Sequence, residues 1–197
     1  MQADTKSVRV WDLPTRVFHW SLVASFATAF LTSESEKLRD IHVIAGYTLA
    51  GLMVFRLLWG FIGGGYSRFA EFLPTPRKLI DYLKSLIDGK PQHYVGHNPA
   101  GAVAIFLLLG FGMVAAASGW AVYEDVGGHF MEELHEGAAN GMMAIVGIHI
   151  AGVIVGSWLH HENLVIAMIT GWKKAGHDQA SAQANVGIID VKHSGRS

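Results

Sequence analysis

Four histidines stand at positions where their spacing permits joint chemistry: His19, His42, His135 and His149. The last two bracket the apolar stretch HEGAANGMMAIVGIH. Fourteen residues turn an α-helix to within about 40° of its starting direction and advance it ~21 Å. His135 and His149 therefore share one face of a helix at two depths. His42 opens a second apolar stretch level with His135. His19 lies near the start of the first stretch, ~20 Å below its far end and so level with His149. Side chains of this kind inside an apolar bundle face its interior and mark functional sites. Imidazole is the common axial ligand of haem iron, and a bis-histidine site takes one ring from each of two facing helices. The pairs His42–His135 and His19–His149 match in level, as two stacked haems require.

Histidines that merely hydrogen-bond between helices are the plain alternative, but four at two matched depths favour haem. A closed zinc site wants its ligands clustered tetrahedrally at one depth, which these are not. Arg56 repeats the fourteen-residue step from His42 and should face inward near the lower pair, where a haem propionate is a suitable anion; snorkelling to the inner surface is the competing reading. Arg16, one turn before His19, has a similar claim. Gly46, Gly51, Gly141, Gly147 and Gly152 either admit a flat macrocycle or allow close helix packing. The other seven histidines (His93, His97, His129, His160, His161, His177 and His193) fall at helix ends, in loops or in the tail and are expected to be mostly solvated. Of these, His160 and His161 lie near the inner surface, where they are candidates for proton transfer at a quinone site.

The elements that position these residues are legible from composition. The chain of 197 residues is 51% hydrophobic and only 16% charged, against about 25% charged in an ordinary soluble domain. Its mean hydropathy is +0.30. Apolar stretches run from Val17 to Thr32, Ile41 to Ile62, Ala100 to Val122 and Gly137 to Leu159. The first is short for a span and the others are long enough. These stretches predict an all-α fold: a four-helix transmembrane bundle with a short amphipathic inner-surface helix between helices two and three, where Leu79, Leu83, Leu86 and Ile87 repeat at helical spacing. Twelve of the fifteen Lys and Arg fall in the N-terminal arm, the loop between helices two and three, and the C-terminal tail. Lys37 and Arg39 alone lie on the other side, whose second loop carries Glu124, Asp125, Glu132 and Glu133. By the positive-inside rule both termini are cytoplasmic. The first stretch follows Arg9 and Arg16, lacks a clear small-residue cleavage site and reads as a retained helix. Residues 1–174 form the membrane domain and 175–197 a polar, mobile cytoplasmic tail. The absence of cysteine excludes disulfides, thiolate metal sites and covalent haem attachment. The net charge of −1 says nothing useful about nucleic acid, and no nucleic-acid partner is expected for a chain of this kind.

VWDLPTRVFHW, IHVIAGY, FRLLWGFIGGGYSRF, HNPAGA, HEGAANGMMAIVGIHIAGV and ENLVIAMITGWK together resemble the bacterial cytochrome b561 and nickel–iron hydrogenase cytochrome b superfamily, from residue 8 to about 174. The resemblance implies four transmembrane helices in the bacterial inner membrane and two non-covalent b-type haems. It carries the axial-ligand roles onto His19, His42, His135 and His149. It also implies electron relay between the membrane quinone pool and a periplasmic partner such as a hydrogenase or a cytochrome c. One branch of the superfamily is self-sufficient and oxidises superoxide. The acidic outer loop is either a dock for a basic partner surface or an ordinary solvated loop.

Overall fold

A computed structural model describes residues 7–89, 92, 94 and 96–174. The expected tail, 175–197, and His93, His177 and His193 lie outside the described residues. Among the described residues six α-helices run along the chain: α1 (Leu13–Thr32), α2 (Arg39–Ile62), α3 (Pro76–Ile87), α4 (Pro99–Tyr123), α5 (Gly128–Leu159) and α6 (Leu164–Thr170). A two-stranded antiparallel ribbon, β1 (Ser7–Arg9) with β2 (Trp172–Lys174), sets Val8 opposite Lys173. The fold is all-α apart from this ribbon.

Local chemistry explains the helix ends. Asp12 caps α1 by accepting the Thr15 N–H at 2.7 Å, and Pro14 sits in the first turn, where its missing N–H costs nothing. The helix therefore starts four residues before the apolar stretch does. Asn98 caps α4 on the Gly101 N–H in the same way, just ahead of Pro99. α5 begins nine residues before the expected Gly137, because HFMEELHE continues the helix above the apolar segment. The expected inner-surface helix is α3, capped by Thr75; Tyr82 is buried while Ile80, Leu83 and Ile87 are exposed. Gly171 ends α6 with φ of 87°, a left-handed conformation glycine adopts without strain.

Among the described residues three helices, α2, α4 and α5, are long and apolar enough to cross a membrane. At 20 residues α1 spans ~30 Å, but Thr15, Arg16, His19, Ser21, Ser25 and Thr28 make it less apolar than the rest. Packing is unequal. The most extensive contact is α4 with α5, followed by α1 with α2, and α2 also meets α4. The shared core joins Leu49 and Met53 of α2, Ala102 and Leu109 of α4, and Met142 of α5 to Phe69 and Phe72 of the α2–α3 connection. Gly112 leaves room for Met53, and Gly141 for Phe111. By contrast, α5 makes no substantial backbone contact with α1 or α2, so only side chains bridge that gap. The four histidines lie on its two sides.

Candidate cofactor-binding site

The outer pair is built first by backbone carbonyls. His42 Nδ1 lies 2.8 Å from the Ala29 carbonyl oxygen and His135 Nδ1 lies 2.8 Å from that of Ala115. A carbonyl can only accept, so both Nδ1 atoms carry the proton and both Nε2 atoms keep a free lone pair. That tautomer is the one metal-ligating histidines adopt when the second nitrogen is tied down. Ala29 is near the end of α1, where the last carbonyls lack helical partners: the Ser33 N–H turns to Phe30 instead. On α4, Gly119 admits the His135 ring, whose atoms lie 2.8 and 2.9 Å from where a Cβ on Gly119 would stand.

The two rings sit 6.0 Å apart, centre to centre, at 86°. Two metal–imidazole bonds of ~2 Å, with ~1 Å from each nitrogen to its ring centre, set rings on a shared iron roughly 6 Å apart. The outer pair fits one iron. Among the described residues no three His, Cys, Asp or Glu cluster to hold a metal ion, so a tetrahedral site lacks its ligands, whereas a porphyrin iron asks the protein for two.

At the inner end His19 of α1 and His149 of α5 lie within electrostatic reach of each other. His19 Nδ1 is buried and has no hydrogen-bond partner. Arg56 does not snorkel. It is 4% exposed, donates through Nη1 to the Ser67 carbonyl at 3.2 Å, and lies 4.7 Å from the Phe69 ring centre and 6.0 Å from that of Phe72. A guanidinium carries five N–H donors, so this one bond leaves capacity for an anion. Gly60 holds the arrangement together, since a Cβ there would meet the Phe69 ring at 2.1 Å.

Below Arg56 is a small polar network that sequence reasoning missed. Ser67 Oγ donates to Asp12 Oδ2 at 2.8 Å, Thr15 Oγ1 is 2.9 Å from Ser67 Oγ, and Trp59 Nε1 donates to Asp12 at 3.3 Å. Burial acts to raise the Asp12 carboxyl, but the hydrogen bonds from Thr15, Ser67 and Trp59 outweigh it and hold the group below the ordinary aspartate value. The pattern DLPT could have signalled the helix cap at Asp12, but its second partner, Ser67, is too distant in sequence to foresee.

Arg16 is placed differently from Arg56. Its Nη1 donates to the Ile169 carbonyl near the end of α6, and Nε is buried without a partner. The five glycines also divide. Gly141 packs on Phe111, whereas Gly46, Gly51, Gly147 and Gly152 have no neighbour within 4 Å of a Cβ position. His129 and His161 are exposed, and His129 pairs with Glu132 and Glu133 at the start of α5.

His97 corrects the expectation of a solvated residue. Its ring lies 4.6 Å from that of Trp11 and 4.3 Å from that of Phe72, with Nδ1 buried. The segment ahead of α1 covers it, which its place before a helix cap does not reveal.

Over residues 10–171 the chain matches the family described as prokaryotic cytochrome b561. The chain belongs to this family. Membership makes it a membrane cytochrome b, with haem b as its cofactor and electron transport as its work. It is similar to proteins described as probable nickel–iron hydrogenase B-type cytochrome subunits. The one from Bradyrhizobium diazoefficiens is 26% identical over 212 residues, 84% of this chain and 85% of that protein. The Azotobacter vinelandii protein is 24% identical over 220 residues, 88% of this chain and 91% of its own length. An Escherichia coli K12 relative is 26% identical over 143 residues, 59% and 60% of the two chains. No solved structure matches the chain. The carbonyl-tethered pair His42–His135, the pair His19–His149 within electrostatic reach of each other and the buried Arg56 suit a cytochrome b561.

Proposed function

We propose that this cytochrome b561 is a four-helix dihaem electron carrier of the bacterial inner membrane, with both termini cytoplasmic. In this reading residues 1–174 are the haem-carrying domain and α1 is the fourth span. His42 and His135 ligate an outer haem b and His19 and His149 an inner one. The observation that carries the proposal is the outer pair: two rings 6.0 Å apart, each with Nδ1 fixed on a carbonyl and Nε2 free.

Haem iron supplies reversible one-electron exchange. The chain's own contribution is orientation and electrostatics. Ala29 and Ala115 fix the tautomers of the outer ligands. Arg56 offers its guanidinium to a propionate at the inner end, in a buried setting where a charged hydrogen bond is strong. Arg16 acts there through Nε while it anchors α6. The bundle relays electrons between the membrane quinone pool and a periplasmic redox protein. A hydrogenase is the partner favoured by the relatives' names, and a cytochrome c is the other candidate. The exposed Glu124, Asp125, Glu132 and Glu133 are available to a basic partner surface on the outer side.

A reduced-minus-oxidised spectrum with a pyridine haemochrome assay tests the reading. The expected result is two b-type haems per chain, falling to one in His135→Ala and one in His19→Ala. A colourless protein from haem-replete cells would overturn it. Turnover by the purified protein alone, with superoxide as donor and quinone as acceptor, would replace the partner-dependent reading with a self-sufficient one.

A further inference from the structure

Three buried side-chain polar atoms have no hydrogen-bond partner among the described residues: Arg16 Nε, His19 Nδ1 and His97 Nδ1. Arg16 uses another nitrogen to hold α6, and His19 is a ligand candidate. His97 has neither role. A buried imidazole nitrogen left without a partner is costly, and its presence calls for an acceptor from outside the chain.

The surroundings say which acceptor. Trp11 and Phe72 flank the ring at 4.6 and 4.3 Å, so its polar edge is its only means of bonding. Phe72 also borders Arg56, whose guanidinium lies 6.0 Å from that ring centre. Burial, and then the charges of Arg56, His149 and Lys173, push the His97 imidazole down to about 3, so it is neutral and offers one N–H. A neutral donor beside a buried guanidinium suits a carboxylate.

Haem b carries two carboxylates on its edge. We propose that His97 Nδ1–H donates a hydrogen bond to a propionate of the inner haem beside Arg56, making His97 a positioning residue for that haem and not a ligand of its iron. The inference rests on the dihaem reading above. An ionised carboxylate close to the iron favours the oxidised state, and a donor on that carboxylate offsets the effect. Loss of the donor therefore lowers the inner potential and leaves the outer one, on the far side of the bilayer, unmoved.

The experiment is a potentiometric titration of the purified holoprotein, with haem quantified, for wild type, His97→Phe and His97→Gln. Phenylalanine keeps an aromatic ring against Trp11 and Phe72 but has no N–H; glutamine restores a donor. In His97→Phe one of two potentials should fall by about threefold in the reduction equilibrium, ~30 mV at 59 mV per decade for one electron. His97→Gln should recover most of that shift, with two haems retained. Unchanged potentials in His97→Phe overturn the proposal, as do equal shifts in both variants, which would mean that ring packing alone is at work. A wild-type protein without two haems brings down the functional reading itself, a result visible before any variant is made.

Discussion

At the scale of single residues, the site is governed by which atoms are occupied and which are left free. His42 and His135 spend Nδ1 on carbonyls, which leaves Nε2 free for the iron proposed to lie between them. Gly119 makes this possible on α4. In the proposed dihaem arrangement, Gly119→Ala should expel the His135 ring and reduce haem content from two per chain to one, with the proposed inner haem's spectrum preserved. Gly51→Ala, where a Cβ meets nothing, should leave both haems in place. Asp12 gives a pH signature. Its folded value lies below the unfolded one, so its stabilisation is complete above about pH 4 and is lost as pH falls through the folded value. Asp12→Asn keeps a good helix cap but removes the titrating charge. Thermal melts from about pH 5 down to about pH 3 should show the wild-type Tm falling further than the variant's. Equal slopes would mean that Asp12 contributes no acid-sensitive stability.

At the scale of elements, the end of the bundle that carries Asp12 and Arg56 is closed by segments far apart in sequence. The β1–β2 ribbon ties the start of the chain to the residues after α6, and Val10 and Trp11 donate backbone N–H groups to the Gly171 carbonyl. Lys173, reached through this ribbon, pairs with Glu162 at 3.4 Å and donates to the Tyr94 carbonyl at 3.1 Å, with both charged side chains nearly buried. Removing one partner of a buried pair typically costs about 3–5 kcal/mol. Lys173→Met should therefore lower the Tm and loosen the inner end first. Hydrogen exchange should report faster exchange in α6 and β2 than in α4 and α5. Uniform acceleration along the chain would show that the ribbon is not a separate closing element.

For the whole molecule, the arrangement follows from a bundle whose halves touch unevenly. α4 packs on α5 and α1 on α2, while α5 is bridged to α1 and α2 by side chains such as His42 and His135. Much of the remaining surface is apolar and exposed, including Phe61, Ile62 and Trp158, as lipid-facing helices require. The proposed orientation is open to direct test, because the chain has no cysteine of its own. With single substitutions Glu34→Cys, Asp88→Cys and Glu124→Cys, an impermeant maleimide should label the first and third from the periplasmic side. It should reach Asp88→Cys only in inverted vesicles. The reverse pattern would invert the topology.

The sequence by itself determined the all-α class and the apolar segments, and it named the candidate residues for the chemistry. Composition, fourteen-residue spacing and short-range caps are properties of contiguous chain. It marked α3 through its own periodicity, and it placed Arg56 on the same helix face as His42. The tertiary structure alone decided what those residues touch. Arg56 is enclosed by Phe69 and Phe72 because a connection beyond α2 folds back over it. His97 has its Nδ1 buried because Trp11, 86 residues earlier, lies against its ring. The tautomers of His42 and His135 are set by carbonyls thirteen and twenty residues away from their histidines. Such contacts depend on how helices pack side by side, and no local pattern records that.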